Sequence, residues 1–262
     1  MNYWDYFTEP TKYTDDCYHI GSRPAPCWLI KSTDGLILID TGLPQTVYQI
    51  LLNINRLGLD FKDVKHIIHS HGHLDHIGGT RVLVELTSAK TYIGRRDFDS
   101  VTGRNQLQWA NEFNRSFEEP FNPDVLIKDG DVLEIGDKKF NFLETPGHTQ
   151  GTLSFFFNLI DKGETFTAGM FGGGGLNTME KWYLDRYHLP YELRKDFIKS
   201  IDRVYDMVPD IHLGNHLDDN FHFEKLEKRV GNENPFIDRT SWKRFLNNKR
   251  QSAIELFNRD KI

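Results

Sequence analysis

Residues 69 to 76 read His69-Ser70-His71-Gly72-His73-Leu74-Asp75-His76, which places five metal-capable side chains in eight positions. Neither core packing nor solubility asks for that density, and imidazoles crowded together without a cation repel one another once protonated. The cluster is therefore the first constraint on the fold: these side chains must converge on one point instead of alternating across a strand. Just before it, Val64-Lys65-His66-Ile67-Ile68 is β-branched and apolar, which predicts a buried strand that ends where the cluster begins. Gly72 and the Gly78-Gly79 pair permit a tight turn after that strand. Imidazole and carboxylate donors without thiolate suit zinc, with iron or manganese as the other candidates, and two ions once more than four such groups converge. His66 and His69 lie on the strand side and are expected in the core or behind the ligands.

The remaining pattern alternates strands and helices, an α/β chain. Cys27-Trp28-Leu29-Ile30 and Leu36-Ile37-Leu38-Ile39 flank Thr33-Asp34-Gly35 and predict a hairpin. Val47, Ile50, Leu51, Ile54 and Leu57 recur at helical spacing, and Gly58 ends that run. Further on, Phe140 to Leu143, Leu153 to Phe157 and Thr165 to Thr167 read as strands, and Leu193, Phe197, Ile201 and Tyr205 mark a second amphipathic helix. A closing strand is expected over Asp210 to Gly214. The stretch from Arg95 to Pro123 is irregular, with a short helix expected over Leu107 to Phe113 and either a substrate-facing role or an ordinary surface loop. Thr240 to Phe257 reads as a terminal helix whose apolar face packs on this chain or on a second copy.

The chain has 262 residues, enough to bury a substantial core, and no repeat, low-complexity tract or linker divides it, so a single domain over 1–262 is expected. Its net charge of −6 and interspersed Lys and Glu form no basic stripe, which argues against nucleic acid as a partner. Met1-Asn2-Tyr3-Trp4-Asp5-Tyr6 lacks the features of a secretory leader, and no apolar run approaches the ~18 residues of a membrane span. A cytoplasmic protein acting on a small molecule is expected, with Cys17 and Cys27 reduced; the oligomeric state is open.

The residues His71, His73, Asp75 and His76 match the H-x-H-x-D-H signature of the metallo-β-lactamase fold hydrolases, and the resemblance continues in order along the chain. Leu36 to Gly42 resembles the early strand ending in Asp-Thr-Gly, Thr145 to Thr152 the segment carrying a third histidine, and Leu213-Gly214-Asn215-His216 the last histidine segment. The resemblance implies an αββα sandwich of two facing mixed β-sheets with helices on the outer faces. It also implies two zinc sites, His71, His73 and His148 for the first and Asp75, His76 and His216 for the second. Asp75 is then expected to act in catalysis as well, by orienting the attacking water. Asp40 is expected behind the ligands, with capping of its own turn as the competing reading.

One departure is informative. Many members of this family carry a Gly-Asp pair whose carboxylate bridges both metals, whereas here Gly169-Met170 stands in that place, and a thioether is a poor zinc ligand. The pattern is most similar to the lactamase subclass whose second site is Asp-His-His. Gly172-Gly173-Gly174-Gly175 follows, read either as a close backbone approach or as a flexible loop. Trp182, Tyr183, Tyr187 and His188 are candidates to wall the pocket, Tyr183, Tyr187 or His188 as donors to an oxyanion, with core packing as the alternative for the aromatics. The expectation is a zinc-dependent hydrolase attacking an amide, lactam, lactone or ester carbonyl. Phosphodiester or thioester hydrolysis is the runner-up, followed by a flavodiiron-like redox protein or a metal-binding protein without turnover.

Overall fold

A computed structural model of the chain describes residues 7–228, 231 and 233–260; Met1 to Tyr6, where the expectation about a secretory leader falls, lie outside the described residues. The elements in order are β1 (Thr11–Lys12), β2 (Cys17–His19), β3 (Trp28–Ser32), β4 (Gly35–Ile39), α1 (Val47–Arg56), β5 (Val64–Ile68), α2 (Leu74–Ile77), α3 (Thr80–Thr87), β6 (Lys90–Gly94), α4 (Phe98–Val101) and β7 (Val125–Ile127). The second half holds β8 (Val132–Ile135), β9 (Lys138–Glu144), β10 (Leu153–Asp161), β11 (Glu164–Met170), α5 (Lys181–Arg186), α6 (Glu192–Val204), β12 (Ile211–His212), α7 (His222–Glu227) and α8 (Thr240–Arg259).

Strand β4 explains the layering. Leu36-Ile37-Leu38-Ile39 is apolar at every position because both faces of the strand are covered. Ile37 and Ile39 join the core between the sheets, whereas Leu36 and Leu38 pack outward with Ile50 and Ile54 of α1 and Leu83 of α3. A seven-stranded sheet, β1 to β7 in sequence order, thus faces a five-stranded sheet ordered β12-β11-β10-β9-β8. Between them lie Trp28, Ile68 and Tyr92 from the first sheet and Phe140, Phe142, Phe155, Phe157 and Met170 from the second. The outer face of the second sheet is covered by α6 and α8 through Phe197, Ile201, Trp242, Phe245 and Leu246. The result is the αββα sandwich. Helix α8 packs Trp242, Phe245, Leu246 and Phe257 against its own chain, while Ile254 of the predicted face is exposed.

Three expectations change in detail. Leu107 to Phe113 forms no α-helix; only Asn111–Phe113 makes a helical turn. The Gln108 carbonyl accepts the Leu74 N–H at 2.8 Å instead of serving a helix, and Trp109 takes a left-handed backbone with φ 64°. The closing strand is two residues long, since Gly214 is drawn off by the Trp28 indole N–H, which donates to its carbonyl at 3.1 Å. The second-half strands run longer than predicted, to Lys138–Glu144, Leu153–Asp161 and Glu164–Met170. Cys17 and Cys27 are buried and free. Among the described residues, no helix is long and apolar enough to cross a membrane.

Two buried histidines outside the cluster give the fold a pH dependence. His19 packs on the Trp28 ring and His212 between Trp242 and Phe245, and burial lowers the pKa of each to about 3. The unfolded value is about 6.5. Such a histidine takes up its proton only on unfolding, so its contribution to stability is complete above about pH 6.5 and is lost as the pH falls towards the folded value. Each should cost on the order of 2 kcal/mol between about pH 7 and 5. In urea unfolding of the metal-free protein, His212→Phe should flatten the loss of stability over that interval by this amount. An unchanged slope would mean that the buried ring is already protonated.

Candidate metal centre

Strands β4 and β5 run parallel and end side by side at Ile39 and Ile68, so both release their following loops at one edge of the sheet. From β5 the chain passes through Ser70 to His71 and His73 and enters α2, whose first turn carries Asp75 and His76. His148 arrives from the opposite sheet, in the loop between β9 and β10, and His216 from the loop after β12. The six side chains form two groups, His71-His73-His148 and Asp75-His76-His216, and within each group the donor atoms all lie within 4.8 Å of one another.

Backbone carbonyls aim the first group. His71 Nδ1 donates to the Gly172 carbonyl at 2.7 Å, and His148 Nδ1 donates to the Gly175 carbonyl at 2.8 Å. A neutral ring so engaged turns its Nε2 lone pair the other way. His71 Nε2 accordingly faces His73 Nδ1 at 3.0 Å. The tetraglycine run makes this possible. A Cβ on Gly173 would stand 2.7 Å from His148 Cδ2, one on Gly175 2.8 Å from His148 Cε1, and one on Gly172 would overlap the Leu153 carbonyl. The glycines serve close approach, one of the two readings left open by the sequence.

Behind the rings, Asp40 joins the two groups. Its carboxylate accepts the Ser70 N–H at 2.8 Å, the Ser70 hydroxyl at 2.7 Å and His76 Nδ1 at 2.8 Å. Ser70 Oγ also accepts the Asn215 amide, next to His216, at 2.9 Å. His69 is buried against Thr80 at 3.1 Å, and half-buried His66 bonds the Tyr92 hydroxyl, so both stand behind the cluster.

The donor set suits a divalent metal such as zinc. Burial holds His71 and His73 well below the ordinary imidazole range and His148 at about 4, so their lone pairs are free at neutral pH. In the second group burial opposes charge, yet the carboxylates of Asp75 and Asp40 raise His76 to about 10. Burial would raise Asp75 too, but His76 and His216 hold it well below the carboxylate range. Asp75 Oδ2 lies 3.4 Å from His76 Nε2 and 3.7 Å from His216 Nε2, and His76 Nε2 is buried without a hydrogen-bond partner. A cation between these groups would satisfy the orphan nitrogen and replace the proton.

Both groups open into one cleft of about 640 Å³, lined by His73, Asp75, His148 and His216 together with Trp109, Phe113, Leu176 and Asn177. A second chamber of about 550 Å³ borders His73 and His148 on the side of Asp97, Thr178 and Tyr183. Tyr183 is buried there, its ring tilted by 31° against that of Trp109 with centroids 4.9 Å apart. Tyr187 is half-buried and donates its hydroxyl to Glu112 at 2.6 Å, while His188 is exposed and borders neither cavity. Met170 packs in the core between the sheets, at 0% exposure.

Asp97 and Trp109 escaped the sequence reading. Asp97 accepts the Gly72 N–H at 2.8 Å, the Thr149 hydroxyl at 2.7 Å and the Gly151 N–H at 2.9 Å, so it ties the loop of His71 and His73 to the loop of His148. Burial still raises its pKa to about 6. An acid inside an irregular polar stretch gives no local signal of such a role.

The metallo-beta-lactamase superfamily model matches residues 20–159. Among solved structures, the subclass B3 metallo-beta-lactamase of Bradyrhizobium japonicum is similar with a TM-score of 0.87 at 26% identity, over 98% of this chain and 96% of that one. The native metallo-beta-lactamase FEZ-1 of Legionella gormanii has a TM-score of 0.86 at 28% identity, over 97% of this chain and 98% of that one. By sequence, the acyl-coenzyme A thioesterase MBLAC2 of Bos taurus is 26% identical over 208 residues, 73% of this chain and 70% of that protein.

Two substitutions test these placements. Gly173→Ala drives a methyl into the His148 ring and should weaken zinc at the first group by ~10-fold or more, the scale for disturbing a ligand's support; full affinity in a chelator competition would refute the packing argument. Met170→Ala should cost ~2–5 kcal/mol of stability as a core truncation while both zinc ions are retained. Metal analysis beside thermal unfolding separates the two effects.

Proposed function

We propose that this chain, which belongs to the metallo-beta-lactamase superfamily and is a metal-dependent hydrolase within it, cleaves an uncharged carbonyl compound: an amide, lactam, lactone or ester. The observation that carries this reading is the shared cleft, into which both ligand groups open beside Trp109, Phe113 and Leu176. Among the described residues lining that cleft there is no Lys or Arg, so a phosphodiester seated there would have no cationic side chain beside it, the nearest such residue lining a cavity at the ligands being Arg96 in the adjoining chamber. An apolar substituent finds aromatic walls.

Zinc bound by the two groups would supply Lewis acidity, polarising a carbonyl and acidifying water. The chain's own residues do the rest. Trp109 and Phe113 hold the substrate against the ligand face, and Leu176 keeps bulk water from its flank. Asp75, the one acid among the six, holds an acceptor oxygen towards the reacting water's proton while its charge balances the second ion. Asn177, in the cleft, and Tyr183, in the adjoining chamber, are uncharged groups able to donate to an oxygen that gains charge.

A thioester is the second reading. The similarity to an acyl-coenzyme A thioesterase favours it, and the same cleft would take an acyl chain. A panel of lactone, ester, lactam, thioester and phosphodiester substrates, assayed before and after zinc is stripped and restored, decides among these. Asp75→Asn should lower kcat/KM on the best substrate by ~100-fold or more, the scale for losing a positioned acid-base group. Near-normal turnover would place the chemistry elsewhere.

A further inference from the structure

The tetraglycine run and the His216 loop both meet α8, an element that contributes no ligand. Lys249 of α8 pairs with Asp219 at 2.9 Å, with side chains 25% and 9% exposed. Asp219 lies three residues past His216, and its N–H donates to the His216 carbonyl at 3.0 Å, closing a turn on the ligand itself. The stem of Lys249 passes over Gly174, where a Cβ would stand 3.0 Å from Lys249 Cε and 2.9 Å from Phe245 Cζ. On either side of Gly174, Gly173 and Gly175 back the His148 ring.

His216 needs such support more than the other five. Its side chain is 38% exposed, whereas the other five are buried or nearly so, and it sits in a run of turns and bends over residues 215–221. Its Nδ1 donates to the Pro24 carbonyl at 3.0 Å, which sets the ring's tilt; before it Asn215 is held by Ser70, and after it the turn is held by Asn220, which donates to the Tyr13 hydroxyl, and by Asp219, the one charged anchor among these. A pair this far out of water is screened less than a surface pair and holds a defined distance.

We propose that the Lys249–Asp219 ion pair positions His216 for the second metal, so that the C-terminal helix sets the affinity of that site. This rests on reading Asp75, His76 and His216 as a metal group. Lys249 itself touches neither metal nor substrate; it acts through the turn at His216.

The test is zinc binding to the full-length apo protein in competition with a chromophoric chelator, with His216→Ala identifying the step that belongs to the second group. Wild type should take two zinc ions. Lys249→Met and Asp219→Asn should each weaken the second step by ~10-fold, the lower end for a ligand's supporting partners, and leave the first within about twofold. Lys249→Arg should recover most of the loss, which a purely space-filling role would not predict. An unchanged second step in both variants overturns the proposal, and so does equal weakening of both steps. Should Lys249→Met not fold, Asp219→Asn carries the same test alone. A wild type that takes only one zinc overturns the metal reading itself, and the proposal with it.

Discussion

Three hydrogen bonds converge on the buried carboxylate of Asp40, and the two ligand groups keep their relation to each other through them. One oxygen accepts the backbone of Ser70, fixing the start of the loop that carries His71 and His73. The other accepts both His76 and the Ser70 hydroxyl, and that hydroxyl in turn accepts the amide of Asn215 beside His216. Asp40 has φ 60°, a conformation that a residue with a Cβ adopts only when its surroundings compel it. That strain, on the order of 1–3 kcal/mol, is offset by the contacts it permits.

A second constraint comes from the backbone. Catalytic histidines need one nitrogen held so that the other can face a metal. Here carbonyls do this for three rings, those of Gly172, Gly175 and Pro24, and a carboxylate does it for His76. At His148 and beside Leu153 the carbonyls can come this close only because the residues there carry no side chain. The four consecutive glycines are thus a packing solution: they pass between the His148 ring on one side and Phe245 and Lys249 of α8 on the other.

What the sequence disclosed follows the same division. The signature at His71 to His76, with His148 and His216, was legible because few other requirements place imidazoles at that density. The paired apolar runs at Cys27 and Leu36 foretold the hairpin, since β-branched and aliphatic residues around a turn have few other uses. Trp109 was not legible: its left-handed backbone reflects the pull of Leu74 on the Gln108 carbonyl, a contact 34 residues away in the chain. Asp97 was hidden for the same reason, as its three donors come from two separate loops. His188 resembled a wall residue by proximity to Tyr183 and Tyr187, yet the end of α5 turns it to solvent.

The two groups differ in how they are built, and the difference bears on function. The first consists of buried neutral imidazoles braced by backbone carbonyls and by Asp97, so little in it can move. The second mixes a carboxylate with two imidazoles, is open at Asp75 and His216, and has no bridging acid, since Met170 belongs to the core. In the function proposed above, an ion in the tightly framed group beside one in the more open group would leave room for substrate on the open side, where the aromatic residues stand. Where the first group is neutral and Asp75 is the one acid among the six, that proposal leaves selectivity to the cleft wall. That wall is built from the irregular stretch around Trp109 and Phe113 and from the loop at Leu176, the part of the chain least constrained by the sandwich.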